Sequence, residues 1–315
     1  MPRDITLIDT QLASFRHDVL SGLSRPRKTL PPRWLYDDRG CALFEEITRL
    51  PEYYPTRTET AILTDNAEEI AAFCGDDAVM LEYGAGAGIK TRIVIDALPS
   101  LRLYVPIDIA ADFLQQTAER LARQFPSLRT LPIVGDFTAD LHLPSSIPTA
   151  NRFGFFPGST IGNLDPDEAA SFLARLRRHV GGTGRCIIGV DLKKDVGMLI
   201  DAYDDSQGVT AAFNLNLLQR INRELDGTFA PDRFRHRAVW NEPEGAVEMH
   251  LESMVPQTVV VAGRPFRFQA GETIHTESSR KYSIASFAAL AAGSGWQCDR
   301  VWMDGDQKFA VFGLV

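Results

Sequence analysis

Three sets of residues stand at spacings that suit ligand chemistry. The stretch Met80-Leu-Glu-Tyr-Gly-Ala-Gly-Ala-Gly-Ile-Lys-Thr91 carries Gly84, Gly86 and Gly88, then Lys90. Glycines so spaced let the backbone adopt positive φ and lie close to a ligand. Asp108 follows after one further apolar run, and Gly135-Asp136-Phe137 after the next. A carboxylate can accept from both ribose hydroxyls. Asp136 can accept from an exocyclic amine while Phe137 covers a ring face. The bland alternatives are a helix N-cap for Asp108, a turn for Asp136 and a solvated cation for Lys90.

The spacing chooses among nucleotide-like ligands. A P-loop needs GxxxxGK[ST], and here Ile89 precedes Lys90-Thr91. A dinucleotide fingerprint needs GxGxxG, and the third glycine comes one residue early. ExGxGxG suits S-adenosylmethionine (SAM), which has no pyrophosphate to seat on a helix N-terminus. With Asp108 and Asp136-Phe137 on the two following strand ends, the pattern points to a SAM site. Lys90 opposes the dipole of the helix it opens and needs a partner, for which the SAM carboxylate is suited.

These residues require a parallel sheet to position them. Candidate strands are Val79–Tyr83, Arg102–Asp108, Thr130–Val134, Arg152–Phe156 and Arg185–Asp191, with helices near 90–98, 110–125 and 166–180 between them. Strand–helix alternation marks an α/β fold whose ligand crevice lies at the strands' carboxyl ends. After Asp191 the alternation stops. Residues 196–225 read as helical. Arg235–Asn241, Ala246–Met254, Gln257–Val261 and Phe266–Phe268 read as antiparallel strands, with a turn at Gly263-Arg-Pro. A helix at 283–292 and strands at Gln297–Met303 and Lys308–Val315 then complete a seven-stranded mixed sheet. The expected fold is therefore α/β and Rossmann-like, a seven-stranded mixed sheet with an inserted α+β domain. The sheet-bearing domain is expected over 58–192 plus 281–315, and the second domain over 1–57 plus 193–280, closing over the glycine turn.

At the start of the chain, Ile8, Leu12, Phe15, Val19 and Leu23 make one side of a helix over 5–23. Leu50-Pro-Glu-Tyr-Tyr-Pro-Thr-Arg-Thr-Glu59 reads as an extended segment presenting two tyrosines, with Thr58 capping a helix that runs to about Ala72.

Composition excludes several classes. The net charge of −8, with no basic cluster, argues against nucleic acid and against an anionic membrane. No apolar run is long enough to span a bilayer. Cys41, Cys74, Cys186 and Cys298 never form CxxC, so free thiols in a reducing cytoplasm are expected. No HxH or HExxH occurs, so no metal is expected. Met1-Pro-Arg-Asp-Ile-Thr lacks the order of a signal peptide. Asp201, Asp204 and Asp205 read as helix surface and caps.

Four longer motifs carry a resemblance. They are Leu50 to Glu59, Gly158-Ser-Thr-Ile-Gly-Asn-Leu164, Ala202-Tyr-Asp-Asp-Ser-Gln-Gly-Val-Thr-Ala-Ala-Phe-Asn214, and Gly271-Glu-Thr-Ile-His-Thr-Glu-Ser-Ser-Arg-Lys-Tyr-Ser283. Together they resemble the L-histidine Nα-methyltransferase family, which makes hercynine for ergothioneine biosynthesis. The resemblance implies a Rossmann-like SAM-dependent methyltransferase fold whose inserted α+β domain binds substrate, and three successive methylations of the histidine α-amine, with L-histidine and its mono- and dimethylated forms as partners. It implies a cofactor site at Gly84, Lys90, Asp108, Asp136 and Phe137. It implies a histidine pocket at Tyr54, Asn163, Tyr203, Met249, Glu277, Ser278 and Ser279. Ala85 and Ala87 stand where serine or threonine is expected, which is expected to tune cofactor affinity. The expected state is a monomer.

Chemistry fits these roles. Asn163 and Tyr203 each offer a donor to the substrate carboxylate. Tyr54 can bond the amine, orient its lone pair and relay its proton. Glu277 can accept from the imidazole N–H while Ser279 donates to the other ring nitrogen; a spacing of two on an extended strand puts both on one face. Met249 lines the side-chain end. Core packing for Met249, a half-buried role for the tyrosines and a solvated loop for Glu277-Ser-Ser279 are the plainer alternatives. A different small-amine methyltransferase would keep the cofactor residues and change Glu277, Ser279 or Met249.

Overall fold

The computed structural model describes the backbone of residues 5–315 and the side chains of residues 11–315. The readings of Met1-Pro-Arg-Asp and of the Ile8 side chain lie outside the described residues. The chain divides into two compact units. One comprises Met1–Tyr53, Val196–Glu242 and Val247–Ser278; the other Tyr54–Asp195, Pro243–Ala246 and Ser279–Val315.

In chain order the first unit begins with α1 (Ile5–Leu23), β1 (Lys28–Thr29) and α2 (Asp38–Ile47). Phe15, Val19 and Leu23 are buried along α1, whereas Leu12 is 41% exposed and leaves the expected stripe. Phe15 packs on Trp34 with ring centroids 4.9 Å apart, and the Arg220 guanidinium covers both rings.

The second unit opens with α3 (Tyr54–Asp65) and α4 (Ala67–Cys74). The extended reading of Leu50–Glu59 therefore fails in its second half. Pro55 sits in the first helical turn, where its missing N–H costs nothing. Thr58 lies inside the helix rather than at its cap, and the helix breaks at Asn66. Then come β2 (Val79–Tyr83), α5 (Ile89–Ala97), β3 (Leu103–Asp108), α6 (Ala111–Gln124), β4 (Arg129–Thr130), β5 (Ile133–Val134), β6 (Arg152–Phe156), α7 (Pro166–Val180) and β7 (Arg185–Asp191). The expected strand at 130–134 is split because Pro132 has no N–H for the ladder.

Within the first unit again, α8 (Val196–Asp201) and α9 (Val209–Leu225) precede β8 (Phe234–Asn241), β9 (Ala246–Ser253), β10 (Gln257–Val261), β11 (Arg264–Phe268) and β12 (Thr273–Arg280). Arg264 and Pro265 pair with Val261 and Val260 in the β10–β11 hairpin, so its turn is Ala262-Gly263. Strands run β1-β12-β9-β8 in the larger sheet of this unit. The chain returns to the second unit for α10 (Ile284–Gly293), β13 (Cys298–Met303) and β14 (Phe309–Leu314).

The second unit's sheet has the order β13-β14-β7-β6-β2-β3-β4, with β5 also on β3. Pairs among β2, β3, β6 and β7 are parallel, and β14 is antiparallel to both neighbours. If β4 and β5 count as one broken strand, this is the expected seven-stranded mixed sheet. Both faces are buried. Val79, Leu81 and Tyr83 face one layer with Phe156, Phe172 and Phe312, while Met80 faces the other with Tyr104 and Phe309. Strands buried on both sides read as continuous apolar runs, which is why these were visible in the sequence. Strand β2 has β3 on one side and β6 on the other, so the strand order reverses there and opens a crevice at its carboxyl end.

Candidate active site

The glycine turn leaves β2 at that crevice. Gly84, Gly86 and Gly88 take φ of 71°, 49° and 73°, values that suit glycine. A Cβ at Gly84 would stand 3.6 Å from the Phe137 ring, and one at Gly88 3.1 Å from Thr117 Cγ2. The turn is held from below by Thr117, which donates to Gly86 O (2.9 Å), and by Arg120, which donates to Ala87 O (2.7 Å). Beneath it lies Glu82, 1% exposed, accepting from Thr91 Oγ1 (2.8 Å) and from the Tyr104 hydroxyl. Burial pushes Glu82 up to about 8, against the pull of those two hydroxyls. The acid of ExGxGxG thus braces the turn.

Asp108 ends β3, half-buried. It accepts from Ala110 N (2.9 Å) and, at 3.4 Å, from Gly86 N, tying the two strand ends together. Burial raises its carboxyl despite these donors. Ala110, not Asp108, occupies the N-cap of α6. Asp136 holds its turn by accepting from Thr138 N (2.8 Å). Phe137 packs edge-on against Tyr83, Phe156 and Phe172. The crevice therefore offers close backbone, a carboxylate, a second carboxylate and an aromatic face. That donor and acceptor set fits the methionine, ribose and adenine parts of SAM.

Lys90 has a partner the sequence reading missed. Its Nζ pairs with Glu59 Oε2 at 2.5 Å, and Glu59, fully buried, also accepts from Gly158 N at 2.8 Å. Gly189 makes room: a Cβ there would stand 1.9 Å from Glu59 Oε1. Glu59 closes the tyrosine motif, so its position was on view without its role. An ammonium has two further donors for a ligand.

Tyr54 begins α3 and is 3% exposed. Its hydroxyl donates to Asp191 Oδ1 and Oδ2 (2.9 and 2.8 Å), and Lys194 Nζ lies 2.6 Å from the same hydroxyl. Lys194 also bonds Asp191 Oδ1 at 2.5 Å, and Lys281 reaches Asp191 Oδ2 at 2.9 Å. Lys281 further donates to Ser279 Oγ (2.8 Å). A hydroxyl that accepts there keeps its own proton to donate elsewhere. Asp191 was legible as a strand-end carboxylate. Lys194 and Lys281 were not, because lysines beside loops are ordinarily solvated. Asn163 ends the short 3₁₀ turn Thr160–Asn163, half-buried. Ser159 enters that turn at φ 57°, and a Cβ at Gly162 would stand 2.6 Å from Arg280 O, so the turn is packed against its neighbour.

In the first unit, Tyr203 is 8% exposed and meets Tyr53 edge-on at 6.2 Å. Its carbonyl accepts from His236 Nε2 (2.8 Å), while Asn214 donates to His236 Nδ1 (3.0 Å). Burial holds His236 below the usual histidine range, in keeping with this neutral tautomer. Glu277 lies buried on β12. Tyr36 faces it: burial first, then the Glu277 charge, push the Tyr36 phenol well above its ordinary value, with Tyr53 and Tyr203 adding to it. Tyr36 stood in no periodic pattern and the sequence reading did not single it out. Met249 is 1% exposed and alternates with buried Val247 and Leu251, the position of a packing residue. Ser278 does not join Glu277. Strand alternation turns it to the opposite face, where its hydroxyl bonds His275 Nε2 (2.9 Å). Ser279, two residues from Glu277, is buried as Glu277 is.

Among the described residues, no group of three or more His, Cys, Asp or Glu side chains could hold a metal ion, and no helix is long and apolar enough to cross a membrane.

Known proteins bear on these features. The chain is 40% identical over 308 residues to a histidine N-alpha-methyltransferase of Mycolicibacterium smegmatis, covering 96% of this chain and 95% of that one. It is 42% identical to a histidine N-alpha-methyltransferase of Mycobacterium tuberculosis, covering 95% and 94%. It is 30% identical to ergothioneine biosynthesis protein 1 of Neurospora crassa, covering 91% of this chain and 34% of that longer one. A sheet with a glycine turn, two carboxylates and an aromatic at its strand ends, together with these relatives, is accounted for by one family profile matching residues 15–315: the chain belongs to the histidine-specific, SAM-dependent methyltransferases.

Proposed function

We infer that this chain methylates the α-amine of L-histidine three times in succession, giving hercynine, in ergothioneine biosynthesis. The observation that carries the choice of acceptor is on β12. Glu277 and Ser279 are both buried and two residues apart, and Lys281 occupies the Ser279 hydroxyl as an acceptor. A neutral imidazole has one N–H and one bare nitrogen, so it pairs with a carboxylate acceptor and a hydroxyl donor. Tyr36, whose phenol keeps its proton, stands against Glu277.

SAM supplies a methyl group on a sulfonium, which an amine lone pair takes by displacement. Gly84, Lys90, Asp108, Asp136 and Phe137 are the residues suited to hold it. Asn163 and Tyr203 hydrogen-bond the substrate carboxylate without adding a formal charge near the sulfonium. Tyr54 takes the amine and aims its lone pair; positioning of this kind supplies most of the acceleration such a reaction needs. Met249 packs behind the imidazole. The sheet-bearing unit accordingly serves as the catalytic domain, and the Val196–Glu242 and Val247–Ser278 parts of the other unit carry substrate residues.

The test is to incubate the protein with SAM and each amino acid in turn and read product masses. Histidine alone gaining one, two and three methyl groups supports the reading. A different amino acid reaching the same extent contradicts it.

A further inference from the structure

Methyl transfer to an ammonium cannot begin until a proton leaves, and one proton must leave in every round. The cluster around Asp191 has the composition to receive it. Tyr54 at the start of α3, Asp191 at the end of β7, Lys194 three residues on, and Lys281 just beyond β12 share one buried site. Asp191 and Lys281 side chains are 0% exposed and Lys194 9%. One carboxylate offsets one ammonium. A second ammonium in the same buried place is the costly member, so the cluster is poised to run with one lysine neutral. Asp304, between β13 and β14, adds only the weakest attraction.

Geometry picks out which lysine meets the substrate's side. Lys194 Nζ is 2.6 Å from Tyr54 Oη, within a hydrogen bond that works in either direction. As an ammonium Lys194 donates to the phenol, whose own proton goes to Asp191; as a free amine it accepts that proton instead, the O–H turning from Asp191 to Nζ. Lys281 is turned instead to Asp191 and Ser279. Burial, with Lys281 adding to it, brings Lys194 down to about 8 against the pull of Asp191.

We propose that Lys194 is the acceptor of the proton released in each methylation round, with the Tyr54 hydroxyl as the relay. This rests on the reading that Tyr54 holds the substrate amine. The substrate N–H bond breaks and its proton forms a new O–H bond on Tyr54. The phenol's former O–H bond breaks and that proton forms an N–H bond on neutral Lys194. The electron pair left on the substrate nitrogen is then free for methyl transfer. Lys194, slightly exposed, returns the proton to solvent before the next round. Lys194 touches Tyr54 rather than substrate, so it is a positioning and relay residue.

The experiment is the pH profile of histidine methylation for the full chain and for K194R and K194M, with SAM binding by calorimetry reporting that each variant is folded. Arginine keeps the cation and its bonds to Asp191 but cannot give up a proton. A relay role makes K194R as slow as K194M, each down about 100-fold near neutral pH. The deficit is constant below about pH 8, where neutral Lys194 and neutral substrate amine both grow about tenfold per pH unit, and narrows above it, where Lys194 has already titrated and solution goes on supplying neutral amine. K194R within about twofold of the unchanged protein at neutral pH, or variant profiles that stay parallel to its own above about pH 8, overturns the relay while leaving the function standing. An unchanged protein that methylates no histidine at any pH overturns the functional reading itself.

Discussion

At the scale of the residue, acceptor choice rests on how single polar atoms are committed. Ser279 Oγ accepts from Lys281, so its hydroxyl retains a donor. Glu277 is buried on a strand beside a phenol that stays protonated. Removing the carboxylate strands the ligand's N–H, so Glu277→Ala is expected to cost about 1–3 kcal/mol of histidine binding by calorimetry, with SAM affinity unchanged. Tyr54→Phe removes the hydroxyl that both Asp191 and Lys194 engage, and turnover is expected to fall about 100-fold while histidine binding weakens by only about 1 kcal/mol. Full turnover would refute its role. Residue roles were the least legible part of the sequence. Asp108, Asp136 and Phe137 announced themselves by standing at strand ends. Tyr54, Glu277 and Ser279 were visible only through motif resemblance. Lys194, Lys281, Glu59 and Tyr36 were hidden because their partners lie far along the chain, and local spacing carries no record of that.

At the scale of the element, the glycine turn shows how little latitude the site has. Gly88 combines φ of 73° with Thr117 Cγ2 and Leu121 Cδ1 at 3.1 and 3.3 Å from an added Cβ. Gly88→Ala is expected to destabilise by about 1–3 kcal/mol in urea unfolding and to weaken SAM binding. Gly293, at the end of α10, has ordinary φ and nothing within 4 Å, so Gly293→Ala is the control and is expected to be neutral or slightly stabilising. Equal losses for both would show that backbone conformation is not the cause. The strands at Val79, Arg152 and Arg185 could be bounded from sequence because both faces of the sheet are covered. The misread elements share a different cause. Pro132 was passed over inside an expected strand and Pro55 was read within an extended segment: one interrupts a ladder, whereas the other opens a helix.

At the scale of the whole molecule, the buried acid under the turn links stability to pH. Glu82 is raised to about 8 in the folded protein from an ordinary value of 4.5. Between those values the folded state binds more protons than the unfolded one, so this contribution is complete below pH 4.5 and is lost as pH rises through about 8. Glu82→Gln removes the titration while keeping an acceptor for Thr91. Its urea-unfolding free energy is expected to lose about 2–4 kcal/mol less than the unchanged protein's between pH 5 and 9. Parallel pH dependences would show that Glu82 does not titrate in this range. The same scale holds the central claim, that this fold serves one amino acid. The most direct measurement is competition: an equimolar mixture of the twenty amino acids, excess SAM, and mass spectra with fragmentation over time. Histidine alone is expected to be consumed, with its one-, two- and three-methyl forms appearing in turn and fragmentation placing every methyl on the α-nitrogen. Methyl groups on the imidazole, or on another amino acid at a comparable rate, would contradict it.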